Sequence, residues 1–409
     1  MKLMIAGGGD GQLNAVRRAK KKGYTVVVSD MNPHCPGALE ADFFVKADTF
    51  SFAETLKGAQ SENIDAILTL GTDQPVLTCA QVADALRIPF GISVKTAHAV
   101  TNKRIMKPLF VQNNIPTSRF TLIQKGFTPQ EISALNFPLV VKPVDSQGQR
   151  GVYKVNTSDE LAAFLPDVLS YSRETSALVE EFYPSEEITV SGWSSEGSFY
   201  PITITDRVTR NNEPHIGVCT SHEYPSRHFN RYGKEIIEIS QNIVTSFKIE
   251  NGPVYIQMLI GDEGIKVNEV ASRIGGAYED EFIPALTGID ILDLQFQLAE
   301  KGKADVQPLD SFKFPEPGFG SVLLFFTREG TIKENGNMDN IKKIPGVING
   351  KYLLPPGKII GRRENSSCRA GFVAFLSKSA AQKEQLRKQI YTLLEIRNIK
   401  GENIVCEYL

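Results

Sequence analysis

Lys2 to Ala6 is an apolar run that meets glycine at once, in Gly7-Gly8-Gly9-Asp10-Gly11, and the pattern predicts a buried strand followed by a turn. The spacing then predicts a helix from Gln12 to Lys22 closed by Gly23, and a second strand from Tyr24 to Asp30. A helix near Phe52 to Glu62, a strand at Ile64 to Leu70, a helix near Pro75 to Leu86 and a short strand at Pro89 to Gly91 continue the alternation. Strands and helices alternating at this length imply a parallel sheet wrapped on both faces, over residues 1–99.

Beyond residue 99 the pattern changes. Val100 to about Arg119 reads as helix, and strands at Arg119 to Ile123 and Leu139 to Pro143 follow, with a proline-flanked helix between them. A glycine loop, Asp145 to Gly151, leads into a strand ending at Val155, then a helix near Ser158 to Leu169 and a strand at Ala177 to Glu181. Strands at Glu187 to Ser194, Phe199 to Asp206, Val218 to Tyr224, Val254 to Ile260 and Ile265 to Val270 surround an amphipathic helix at Tyr232 to Phe247, and a helix at Ile291 to Lys301 closes the body. Hairpins mixed with helices make residues 100–310 an α+β domain. After a linker at Phe314-Pro315-Glu316-Pro317-Gly318, the last part of a third unit, 311–409, is strand-rich with one helix near Ala380 to Leu394. The fold class is α/β and α+β, multidomain.

Composition narrows the function. The 45 basic and 47 acidic side chains leave a net charge of −2, which does not fit a nucleic-acid partner. Five scattered cysteines without a CxxC pair argue against a disulfide framework or a zinc site and fit a reducing compartment. The opening apolar stretch is too short for a signal-peptide core, and no stretch approaches the about 18 apolar residues of a membrane span. The expected location is cytoplasmic.

The chemistry concentrates in Ile265-Lys266-Val267-Asn268-Glu269-Val270-Ala271-Ser272-Arg273-Ile274-Gly275-Gly276. A carboxylate at a strand end can hold Mg²⁺, and an arginine four residues on can fork onto a carboxylate or phosphate. Two glycines then let the backbone approach a ligand. Alone, the segment is equally a strand end with a surface ion pair. Gln257 lies on the preceding strand of a hairpin that could bring its amide oxygen beside Glu269, or it is a half-buried polar residue. The loop Asp145 to Gly151 could cradle phosphates through backbone N–H groups, with Lys142 and Arg150 supplying charge, or be a plain hairpin. Lys142 in an apolar strand favours the first reading, because an unpaired buried ammonium is costly. Gly7 to Gly11 with Asp30 is a weak dinucleotide fingerprint, since Gln12 holds the third glycine position. His215 and His222 flank Cys219 without metal-ligand spacing.

Together these segments resemble the ATP-grasp superfamily across almost the whole chain, with Arg273 and Gly275-Gly276 similar to the Arg-x-Gly-Gly run of amino-acid ligases. The resemblance implies a parallel first domain, two lobes that clamp ATP with a flexible smaller lobe at about 119–185, and a small C-terminal domain. It implies ATP lysines at Lys103 and Lys142, and a phosphate loop that includes Ser146, Gly148 and Arg150. Adenine would meet main-chain groups at Glu180 and Tyr183 with Glu181 between them, the ribose would meet Glu187, and Mg²⁺ or Mn²⁺ would sit on Gln257 and Glu269. The second substrate would lie near Thr72, Asp73, His222, Arg273, Gly275 and Gly276, with Arg273, Lys142 and Arg150 as catalytic residues. Two positions depart from the family pattern: Ala271 stands where many members have Asn, and Cys219 where an acidic residue often precedes the histidine. The implied activity is ATP-dependent ligation of a small carboxylic acid or amino acid to an amine through an acyl phosphate. A purine-pathway or carboxyphosphate-forming synthetase and a non-catalytic ATP-binding regulator are the alternatives. The implied partners are small molecules, with neither nucleic acid nor membrane, and the C-terminal domain either covers the site or mediates a homodimer.

Overall fold

The computed structural model describes residues 1–361 and 365–406, so the expected end of the third unit at 407–409 lies outside the described residues. Lys2–Ala6 pairs in parallel with Thr25–Asp30 on one side and Ala66–Leu68 on the other, and Phe43–Lys46 adds an edge. Alternate side chains of the central strands serve two cores. Leu3 and Ile5 pack with Val16 and with Phe296 of the helix Ile291–Lys301, while Met4 and Ala6 pack with Ala59, Cys79 and Val82. Burial on both faces is why these strands read as unbroken apolar runs.

Three local expectations change. Pro89 to Gly91 forms no strand; its backbone lies against the 250–252 turn, where the Asn251 amide bonds the Gly91 carbonyl at 3.1 Å. The edge strand Phe43–Lys46 escaped notice because it is only half-buried and carries no clean alternation. The helix expected from Val100 to about Arg119 is instead two, Val94–Thr101 and Lys103–Gln112, divided at Asn102, and 113–119 is not helical. Asn102 is extended and caps the second helix through its side-chain oxygen, so Lys103 begins a helix and projects from its first turn.

The larger sheet has twelve strands. Gly264–Ala271, Gly252–Gly261, Glu186–Ser195, Ser198–Asn212 and His215–Tyr224 lie side by side, all antiparallel, and the helix Phe229–Phe247 covers their apolar face through Ile236, Ile243 and Phe247. Four further strands, Tyr153–Val155, Leu139–Pro143, Ser176–Glu181 and Phe120–Gln124, form a smaller lobe with its own core around Leu139, Val141, Leu161 and Val179. One ladder pair, His215 opposite Tyr153, joins the two parts of the sheet. So thin a seam lets the smaller lobe be positioned by what its loops touch. The C-terminal strands continue the sheet: Phe319–Phe325 pairs with His215–Tyr224 and with Gly371–Ser377. Among the described residues no helix is long and apolar enough to cross a membrane.

Candidate active site

Gln257 and Glu269 stand directly opposite one another across the hairpin formed by Gly252–Gly261 and Gly264–Ala271. A bulge sets their orientation. The register runs Met258 to Val267 and then Gln257 to Glu269, which leaves Asn268 as the extra residue. Val267, two residues before Glu269, therefore packs in the core with Met258, whereas Glu269 and Gln257 face the opposite side. Without the bulge the period of two would bury Glu269 with Val267.

The side that Glu269 faces is a cleft between the lobes. Lys103, at the start of its helix, places Nζ 3.1 Å from Glu269 Oε2 and 3.3 Å from the Ser146 carbonyl. Burial opposes charge on Glu269, but Lys103, Lys142 and Arg273 hold its carboxyl down at about 2. Lys142, in the buried strand Leu139–Pro143, donates to Asn268 Oδ1 at 2.9 Å and pairs with Glu180. Glu180 Oε2 in turn takes Lys107 at 2.8 Å, and Lys107 donates to Thr117 Oγ1 at 2.7 Å. The carboxylate of Glu180 is thus occupied by two lysines.

Tyr183 lines the same cleft, and its backbone N–H has no protein acceptor among the described residues. Glu181 turns its side chain to Arg119 and the Asn136 amide, and Glu187 pairs with Arg207 at 2.5 Å. Ser146 Oγ is buried without a partner at the cleft wall, and Arg150 Nε folds back onto the Gln147 carbonyl at 3.2 Å.

A second cleft adjoins the first and shares with it Gln257, Glu269, Arg150 and Arg207. Arg273, Thr72 and Asp73 line it. Arg273 Nε donates to Asp73 Oδ1 at 2.7 Å, and its guanidinium lies 4.3 Å from the Tyr255 ring centroid. Burial opposes its charge, while Asp73, Tyr255 and Glu279 raise its pKa. His222 sits against Thr205 Oγ1 at 3.3 Å, and burial together with Arg207 and Arg369 pushes its imidazole down to about 3, so it is neutral. Cys219 lines the cleft with a thiol that burial raises.

The two glycines after Arg273 act on the protein itself. Gly275 donates to Glu279 Oε2 at 2.9 Å, and a Cβ there would lie 2.3 Å from the Glu279 carboxyl carbon. A Cβ on Gly276 would lie 2.6 Å from the Gly71 carbonyl oxygen. Only Gly276 reaches the cleft wall, so the close approach expected toward a ligand is, at Gly275, an approach to Glu279. The first-domain glycine turn is likewise filled by protein: Asp30 accepts from the Gly8 amide at 2.8 Å, and the Gly37 amide bonds the Gly8 carbonyl at 2.7 Å.

Four residues went unread in the sequence. Lys107 carries a signal, one helical turn after Lys103. Asn268 and Arg207 depend on the bulge and on strand register, and Arg369 of the C-terminal unit has no local signal. The oxygen donors of Glu269 and Gln257 suit Mg²⁺, which is usually held by one or two carboxylates together with substrate phosphates. The amide oxygen of Gln257 accepts from no described group, so it is available. Among the described residues no cluster of three or more His, Cys, Asp or Glu could hold a metal alone.

The phosphate-loop candidate is sealed from the C-terminal side. Ser366 donates to the Gly148 carbonyl from its amide at 3.1 Å and from Oγ at 2.9 Å, and Gln147 accepts from the Asp73 amide. Gly148 has φ +69°, and a Cβ would lie 2.5 Å from Ser366 Oγ. Gly148→Ala is therefore expected to loosen the loop by about 1–2 kcal/mol. Faster amide exchange across 145–151 would register it; unchanged exchange would mean the contact does not hold the loop.

Residues 135–281 match the family model described as an ATP-grasp domain. An L-arginine-specific L-amino acid ligase of Bacillus subtilis is 23% identical over 309 residues, covering 72% of this chain and 71% of that protein. A D-alanine--D-alanine ligase of Lacticaseibacillus casei is 32% identical over 89 residues, 22% of this chain and 24% of that protein. The crystal structure of an L-amino acid ligase from Bacillus licheniformis matches with a TM-score of 0.81 at 19% identity, over 97% of this chain and 99% of that one.

Proposed function

We propose, from the match of residues 135–281 to the ATP-grasp domain, that the chain is an ATP-dependent ligase joining a small carboxylic acid or amino acid to an amine through an acyl phosphate. The observation that carries this reading is the shared wall of the two clefts, where Glu269 and Gln257 border both the lysine-lined cleft and the Arg273 cleft. A carboxylate is a poor acylating agent. Attack of its oxygen on the γ-phosphorus of ATP breaks the bond to the leaving ADP and gives an acyl phosphate. The amine then attacks the carbonyl carbon, phosphate leaves, and a proton is lost from nitrogen.

In this reading the purine edge meets the Tyr183 amide, and the ribose hydroxyls meet Glu187. Lys103, Lys142 and Arg150 offset charge on the transferring phosphoryl group. Glu269 and Gln257 would hold Mg²⁺, which when bound neutralises phosphate charge. Arg273, held in place by Asp73, faces the oxyanion that develops at the carbonyl and stabilises it without reorganising. Closure of 145–151 against Ser366 and Asp73 keeps water from the acyl phosphate.

ATP-dependent phosphate release, screened against pairs of small acids and amines with mass detection, tests the reading. Release is expected only when an acid is present, and the product mass is the sum of acid and amine less one water. ATP binding without phosphate release under any pairing would instead favour a nucleotide-binding regulator.

A further inference from the structure

The second cleft has more cationic groups than its own carboxylates occupy. Its wall includes Arg150, Arg207, Arg273 and Arg369 against Asp73 and Glu269. Arg273 is paired with Asp73, Arg207 with Glu187, and Glu269 with Lys103. Arg369 differs from them. Among the described residues its guanidinium has neither an ion-pair nor a hydrogen-bond partner, and its Nε is shielded from solvent. A buried donor left unpaired is costly, and a guanidinium fork is shaped for a carboxylate or a phosphate.

Two further observations restrict what Arg369 meets. It lines the second cleft but not the lysine-lined one, so it faces the acid substrate and not ATP. The same wall leaves no carboxylate free for an ammonium: Cys219 presents a thiol, His222 is neutral, and Asp73 and Glu269 are already paired. The backbone around Arg369 is fixed, with its amide on the Ser366 carbonyl at 3.2 Å and the Ala370 amide on the Phe325 carbonyl at 2.9 Å. The turn that seals Gly148 therefore also sets Arg369 at the cleft.

We propose that the acid substrate carries a second anionic group, a carboxylate or a phosphate, beyond the carboxylate that is activated, and that Arg369 binds this group. The proposal rests on the ligase reading above and adds the substrate class. It makes the C-terminal unit part of the substrate site rather than only a cover.

The test compares wild type with Arg369→Gln and Arg369→Lys, each checked by thermal unfolding. Phosphate release is measured at saturating ATP with three sets of acids: monocarboxylic amino acids, dicarboxylic acids such as succinate and glutamate, and phosphorylated acids such as phosphoserine. Dianionic acids are expected to be preferred. Arg369→Gln is expected to raise their KM by about ten- to a hundredfold with KM for ATP unchanged, and Arg369→Lys to recover part of the loss. The dicarboxylic and phosphorylated arms identify the second group. Preference for monocarboxylic acids with KM indifferent to Arg369→Gln overturns the proposal, as does a rise confined to KM for ATP.

Calorimetric binding of succinate and of phosphoserine, with a non-hydrolysable ATP analogue present, is run on the same proteins. It decides the Arg369 contact even if no acid is turned over, the outcome that would fail the ligase reading itself. Weaker binding to Arg369→Gln supports the contact, and equal or absent binding removes it.

Discussion

Glu269→Gln is expected to lower ATP-dependent phosphate release by about a hundredfold or more, with a loss in kcat larger than any change in KM for the acid. The replacement keeps the size of the side chain and removes its charge. Because the Glu269 carboxyl is held at about 2, it is charged at any working pH, and the substitution removes a full negative charge from the wall shared by the two clefts. Lys103 also loses its partner at 3.1 Å. Gln257→Glu changes the charge in the opposite sense, directly across the ladder, and is expected to lower the Mg²⁺ concentration needed for half-maximal rate. The pair of titrations separates a metal role from a packing role. Full turnover in a folded Glu269→Gln would end the assignment of Glu269 to metal and phosphate.

The spacing of apolar residues around Glu269 shows how far a sequence can be read. Ile265 and Val267 enter the core two residues apart, and Val270 enters three later. That change of phase is the trace of the Asn268 bulge, and it is present in the sequence, although a strict period of two reads past it. The first-domain strands were legible for a simpler reason: buried on both faces, Leu3 to Ala6 and Val26 to Val28 are apolar without interruption. Phe43–Lys46, a half-exposed edge, offers no such signal. The lysines of the site could be recognised because an ammonium in an apolar strand or at the first turn of a helix demands a partner. Their partners could not. Glu180 looked like a main-chain contact to a purine because it closes a strand, and only the register, with Val140 opposite Glu180 and Leu178 opposite Lys142, brings its side chain diagonally to Lys142. Arg369 is still further from recognition, since it arrives through the C-terminal strands that continue the larger sheet.

The two-lysine, one-carboxylate cluster leads to an asymmetric prediction about stability. Glu180→Gln is expected to destabilise the smaller lobe by about 3–5 kcal/mol, because Lys107 and Lys142 are then left buried together without a counter-charge. Lys107→Met leaves Glu180 with Lys142 as a matched pair, and its stability at neutral pH is expected within about 1 kcal/mol of wild type. The titration behaviour of the two groups supports the difference. Burial lowers Lys107 to about 8, partly offset by Glu180 and reinforced by the like charge of Lys142. Its charged form therefore carries a cost that is fully present below pH 8 and relieved as pH rises toward the ordinary value of 10.5. Glu180 runs the other way. Burial would raise it, but Lys107 and Lys142 hold it at about 2 against an ordinary 4.5. It contributes about 3 kcal/mol that is fully present above pH 4.5 and lost as pH falls toward 2. Hydrogen exchange of the strands Leu139–Pro143 and Ser176–Glu181 across pH reads the lobe without requiring the whole chain to unfold. In Lys107→Met the gain between pH 8 and 10.5 should disappear while the acid loss remains, and in Glu180→Gln the acid loss should disappear. Equal destabilisation by both substitutions at neutral pH would mean that the cluster is held by packing rather than by its unequal charges.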